Sequence, residues 1–282
     1  MKTVKEYKYL GTIISNTGNF NLNEINLKKK GLRASYLLGR SLKHAKPSSA
    51  IKIFEKVTEP ILLYNCEIAL AYLPKTWDYT RFVLEIWDHG KQINMVVMNF
   101  LRQLLGVHNK TSNIGIMSET GKYPIMMKVY TLIYKYWLRV SNTENILLKE
   151  ALRINIEDHE KGKTSWCKII EYLRKLTSQE GAINTPITID NFKAAMKMMF
   201  QVSWEAEGLL KERSKLDFYF SLKKTFGFED YLDNIELSAR IHVTKLRLSA
   251  HCLPVEILRY NKQYSNREDR TCNICELNVL GD

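Results

Sequence analysis

The chain has 282 residues, 45% hydrophobic and 11% aromatic, which is enough for packed cores and argues against wholesale disorder. Its net charge is +12, and residues 1–60 alone hold 12 Lys/Arg against 4 Asp/Glu, a local surplus that suits a polyanionic partner. No apolar run is long enough for a bilayer, no secretory signal pattern opens the sequence and five cysteines are too few for a disulfide framework; an intracellular protein, cytoplasmic or nuclear, with reduced thiols and no membrane partner is expected.

In chain order, "YKYLGTIIS" alternates and is β-rich, and "NTGN" follows it as a turn, predicting one short N-terminal β-strand or hairpin at 7–15. From 22 to 45, Leu27, Gly31, Ala34, Leu38, Leu42 and Ala45 recur at helical spacing along one face. Pro47-Ser48-Ser49 interrupts, and a second helix carries Phe54, Val57, Ile61 and Tyr64 with a kink at Pro60, before Pro74 ends the section. A third stretch over 79–105 places Ile93, Val97, Phe100 and Leu104 on one stripe, with Gly106 as its C-cap.

"TSNIGIMSETGKYP" predicts a short helix capped by Thr111 or Ser112 and stopped by Gly and Pro. Helices are expected at 124–140, around 143–153 and 165–176, at 190–213 and at 231–250, with "SQEGAINTP" as the clearest linker. In the 190–213 segment Phe192, Met196, Met199, Ala206 and Leu210 face inward by spacing. The fold class is mainly α.

The first helix carries the strongest chemical signal. Lys29, Arg33, Tyr36, Arg40 and Lys43 fall within one narrow stripe, almost opposite the apolar face. Cations spread over about 20 Å of helix can follow successive phosphates, with Tyr36 able to touch a sugar or base. A solvated face is the plain alternative, but no acidic residue interrupts the stripe. Lys28 and Lys30 point about 100° to either side. A second basic group, Arg240, Arg247 and His251 on one face with Arg259, Arg267 and Arg270 beyond, is a weaker signal that surface charge explains equally well.

No catalytic residue is assigned. Metal-assisted polymerisation needs converging carboxylates, and the chain has no Asp-Asp pair; Glu157-Asp158, Glu229-Asp230 and Glu268-Asp269 read as solvated turns or helix ends. There is no nucleophile signature, Walker loop or Gly-rich dinucleotide turn. Cys272 and Cys275 form a C-x₂-C pair, half of a tetrahedral zinc site, with His251 and Cys252 the nearest candidates to complete it. Two thiolates alone predict weak or no zinc binding, so no cofactor is expected in this chain.

Taken in order, "YKYLGTIIS", "EPILLYNCEIA", "FLRQLLGVHNKTSNIGIMSETGKYPIMMKVYTLIYKYWLRV", "SKLDFYFSLKKTFGFEDYL" and "ARIHVTKLRLSAHCLPVEILRYNKQYSNREDRTCNIC" resemble the C-terminal part of a non-LTR (LINE-like) retrotransposon reverse transcriptase. The second stretch is similar to that family's "kPiLLYGsEiW", with Asn65 in place of the usual Gly, and Leu258 stands where the family often has Gly. The resemblance implies a palm-edge strand remnant at 1–20, a thumb-like helical segment at 21–78, a downstream helical domain at 79–265 and an incomplete zinc-knuckle-like tail at 266–282. It also implies that the fingers and catalytic palm would precede Met1, and that zinc would belong to the complete parent protein. The partner it implies is a template–primer RNA/DNA duplex lying along the helix at 22–45. An α-helical interaction module, or a retroelement relic without a nucleic-acid role, is the alternative.

Overall fold

The computed structural model describes residues 4–18, 20–70, 91–163, 166–177, 188–209 and 216–251, together with 253 and 258. As expected, the fold is mainly helical with one small sheet at the N-terminus. β1 (Glu6–Tyr9) and β2 (Thr12–Ser15) pair antiparallel, Tyr9 opposite Thr12, so the chain reverses at Leu10-Gly11 in the middle of the expected strand. Both turn residues have positive φ (44° and 88°), which matches the right-handed twist of a two-residue hairpin.

The hairpin is tied to the helices at three points. Asn23 Oδ1 accepts the Ile13 N–H (3.0 Å), Asn65 Nδ2 donates to Thr12 Oγ1 (2.9 Å), and Tyr64 OH donates to Leu10 O. Asn65 itself sits in the left-handed region, φ 53°, a conformation that Gly and Asn adopt at least cost.

Four helical pieces follow: α1 (Asn21–Ser41), α2 (Pro47–Val57), α3 (Glu59–Leu62) and α4 (Cys66–Ala69). The helix expected to kink at Pro60 breaks instead at Thr58, and Pro60 lies in the first turn of α3, where its missing N–H costs nothing. The break resets the register. Phe54 and Leu62 are buried, whereas Val57 and Tyr64 lie outside at 47% and 48% exposed.

Helix α5 (Lys91–Leu105) packs along α1 and sends Ile93, Val97 and Phe100 inward as the spacing predicts; Gly106 ends it at φ 66°. The expected start of this stretch, at 79, lies outside the described residues. α6 (Asn113–Glu119) begins after Ser112. α7 (Ile125–Ser141) is the central rod, with Met126, Val129, Tyr130, Ile133 and Tyr134 at most 1% exposed. Around it lie α4, α8 (Ile146–Glu160), α9 (Trp166–Leu176) and α10 (Ile189–Leu209).

Helix α10 stacks Phe192 on Tyr134, centroids 4.3 Å apart, and buries Phe200 and Trp204 against Tyr123, Phe220 and Phe226; Ala206, expected inward, is exposed. Leu210 lies outside the described residues. α11 (Asp217–Leu222), α12 (Tyr231–Asn234) and α13 (Leu237–Arg247) complete the fold, so the helix expected at 231–250 is two pieces broken at Ile235. One contiguous apolar core runs from Leu27 to Leu248 and draws side chains from both the 21–78 and the 79–265 segments.

Long-range polar contacts lock this arrangement. Lys122, 5% exposed, pairs with Glu55 and Glu59, and Lys128 reaches the same two carboxylates, joining α2 and α3 to α7. Burial raises the Glu55 pKa, but the two lysines outweigh it and hold the carboxyl below the ordinary value. Asp233 caps α2 from a distance, accepting from Ser48 N (3.0 Å) and Ser48 Oγ. Asp233→Ala is therefore expected to cost about 1–2 kcal/mol in a urea melt, the usual worth of an N-cap, and Asp233→Asn, which keeps an acceptor, should recover most of it.

Candidate nucleic-acid interface

Helix α1 is positioned by its inward face. Leu27, Gly31 and Ser35 are buried against α5 and α3, and a Cβ on Gly31 would collide with Leu62. Glu24 reinforces the packing by accepting the Gln92 N–H (3.0 Å) in the first turn of α5, where a carboxylate meets the positive end of the helix dipole. Ala34, expected inward, is only half-buried, and its neighbour Ser35 is the buried residue.

With that face fixed, Lys29, Arg33, Tyr36 and Arg40 all emerge on the solvent side as exposed residues. They run about 17 Å along the axis. Tyr36 is 59% exposed, and the Arg40 guanidinium lies 5.9 Å from its ring centroid. None of Lys29, Arg33, Arg40 and Lys43 forms an ion pair among the described residues. Among the described residues no ion pair has to open before these cations meet an external anion.

Two sequence expectations change here. Lys43 is exposed, but α1 ends at Ser41 and Leu42 caps it by donating to Leu38 O (2.8 Å), so Lys43 stands in the following turn and not on the helical stripe. Pro47, the first residue of α2, fits this early stop. Lys28 is not a bystander either. Its Nζ donates to Gln92 Oε1 (2.8 Å), stitching α1 to α5. Lys30 remains exposed.

In the second basic group Arg240 and Arg247 are structural. Arg240 is 6% exposed and donates to Leu232 O (3.1 Å), while Arg247 is held by Glu119 (2.6 Å) and Glu229 (3.0 Å). His251 accepts the Leu253 N–H through Nδ1 (3.3 Å). Spacing placed Arg240, Arg247 and His251 on one helix face, but α13 ends at Arg247, so His251 lies beyond it, and Arg247 turns to Glu119, more than a hundred residues earlier in the chain. Arg259, Arg267 and Arg270 lie outside the described residues, as do Cys252, Cys272 and Cys275.

Among the described residues no group of three or more His, Cys, Asp or Glu converges as metal ligands. Burial pushes the Cys66 and Cys167 thiols up, Cys167 to about 11, so both stay protonated and inert. Nor is any helix among the described residues long and apolar enough to cross a membrane.

At the C-terminal end of the ridge lies a cleft of about 280 Å³ between α1, α5 and α13. Arg40 and Lys43 stand at its edge, and Gln103 of α5 forms part of its wall. Nothing in the spacing of α5 pointed to Gln103. It lies one residue before Leu104 of the apolar stripe and reads as an ordinary polar surface position until α1 is laid beside it. No protein-family model, curated protein or solved structure matches the chain.

Proposed function

We propose that the chain binds a nucleic-acid duplex along the outer face of α1, as the thumb-like, non-catalytic part of a retrotransposon-type reverse transcriptase. The observation that carries the binding is the row of exposed cations, Lys29, Arg33 and Arg40 with Lys43 beyond, unpaired among the described residues and uninterrupted by acid. Such a row matches the spacing of a phosphate backbone better than it matches a protein surface, where opposite charges alternate.

The resemblance supplies the kind of nucleic acid, a template–primer RNA/DNA hybrid, and the left-handed Asn65 supports it, since the family's Gly at that place would adopt the same conformation. RNA-directed DNA polymerisation is then the work of a catalytic palm, and this chain contributes grip on the duplex.

The test is fluorescence anisotropy of a labelled RNA/DNA hybrid at several salt concentrations. Arg33→Glu and Arg40→Glu should each weaken binding alike on all sequences and flatten the slope of log affinity against log salt by about one unit. Thermal stability should move by less than about 0.5 kcal/mol, as for most surface substitutions. Lys30→Glu, off the ridge, is the control. Equal losses from Lys30→Glu would overturn docking on the ridge in favour of diffuse attraction, and a wild-type protein that ignores salt would point to an interaction module for other proteins.

A further inference from the structure

The cleft at the end of the ridge has a composition that a duplex backbone alone does not require. Its floor is apolar, formed by Leu42, Leu104, Leu237 and Ile241 with Phe100 beneath, whereas its edge carries Arg40 and Lys43. Anionic edge and flat apolar filling are the two halves of a nucleotide. The third component is the Gln103 side chain, exposed, with its amide lacking any hydrogen-bond partner among the described residues.

Gly39 makes room for that amide. A Cβ there would stand 2.8 Å from Gln103 Oε1 and 2.9 Å from Nε2. A glycine in the interior of a helix is less favourable than an alanine. At Gly39 the missing side chain lets the carboxamide lie against the backbone of α1, in the cleft that Arg40 and Lys43 also line. A carboxamide offers a donor and an acceptor side by side, the pairing that reads the edge of a base, adenine above all.

We infer that this cleft holds one unpaired nucleotide of the bound nucleic acid: its phosphate on Arg40 and Lys43, its base over the apolar floor, and the base edge against the Gln103 amide. The inference rests on the duplex-binding reading above and adds to it a preference for a junction between paired and unpaired nucleic acid. The ridge carries the paired part, and the strand leaving the duplex enters the cleft where α1 ends. The charges at the cleft edge select the occupant. An apolar peptide or a second copy of this basic chain would leave Arg40 and Lys43 facing no anion.

The experiment compares a blunt RNA/DNA hybrid with the same hybrid carrying a short single-stranded extension, 2-aminopurine replacing its first unpaired base. Anisotropy reads affinity, and 2-aminopurine emission reads the environment of the base. Burial of one base face against such an aliphatic surface should tighten the extended hybrid roughly tenfold over the blunt one. Leu104→Trp, which fills the cleft, should abolish that advantage and the emission change while leaving blunt binding intact. Gln103→Ala is exposed and safe for the fold; it should reduce the advantage and even out the affinities of extensions that differ in their first base.

Equal affinity for blunt and extended hybrids, with the salt slope retained, would overturn the cleft and leave the ridge standing. An advantage that survives both Leu104→Trp and Gln103→Ala would also overturn it. Salt-insensitive or absent binding of either hybrid would overturn the ridge, and the cleft with it.

Discussion

Glu119→Ala is expected to destabilise the protein by about 3 kcal/mol, measured by urea unfolding. Its carboxylate is fully buried at the end of α6 and accepts from Arg247 Nε (2.6 Å) and Tyr231 OH (2.6 Å), gathering α6, α12 and α13 at one point. Removing one partner of a buried pair leaves the other charge uncompensated, which costs about 3–5 kcal/mol. The lower end applies because Arg247 keeps Glu229 at 3.0 Å. Glu119→Gln preserves the volume and should cost roughly half as much, since an amide still accepts one bond but sets a donor against Arg247.

The same cluster sets an alkaline limit. Burial, then the charge of Glu119, holds the Tyr231 phenol well above its ordinary value of 10.0. A raised folded pKa means that the stability is fully present below pH 10 and is lost as the pH climbs through the folded value. Glu119→Gln removes the charge and leaves the burial, so its alkaline loss should be shallower than that of the parent. A variant as stable as the parent at neutral pH would show that Glu119 holds nothing together.

Gly121→Ala is expected to cost about 3 kcal/mol as well, for a different reason. Gly121 has φ 61°, and a Cβ there would stand 2.5 Å from Phe228 N and 2.9 Å from Gly227 C. Left-handed backbone costs an ordinary residue about 1–2 kcal/mol, and here the obstacle is backbone, which no rotamer change can clear. The neighbouring strand-like pairing of Thr120 with Phe228, and the Glu229 N–H to Glu119 O bond (3.1 Å), would have to open.

Gly162→Ala separates the two contributions. Gly162 has φ 71° with nothing within 4 Å of its would-be Cβ, so it reports the conformational cost alone. Gly121→Ala should exceed Gly162→Ala by 1 kcal/mol or more, read in the same melts; equal losses would mean that the 121–228 contact yields freely. Glu119→Ala and Gly121→Ala act on one contact, so the double variant should lose less than the sum of the two.

Much of this molecule was legible from local patterns. Helical spacing is a property of neighbouring residues, and Leu27, Gly31, Ile93, Val97, Phe100 and Phe192 turned inward where their periodicity put them. The outward stripe Lys29, Arg33, Tyr36 and Arg40 followed from the same geometry, because the face opposite a buried one has nowhere else to point. The turn at Leu10-Gly11 and the break at Ile235 were hidden, since each depends on contacts made elsewhere: Tyr64 on the hairpin, Tyr231 and Arg240 between the last helices.

The tertiary structure alone decided which cations are free. Arg33 and Arg247 are alike in sequence as helix-face arginines, yet one is exposed and unpaired among the described residues while the other is held between two carboxylates. The difference lies in Glu119 at the end of α6 and Glu229 just before α12, which tertiary packing brings to Arg247. It likewise placed the amide of Gln103 beside Gly39, from helices far apart in the chain. Periodicity fixes the direction of a side chain relative to its own helix axis, whereas its partners are set by how the axes pack, and that is settled by the shared core from Leu27 to Leu248.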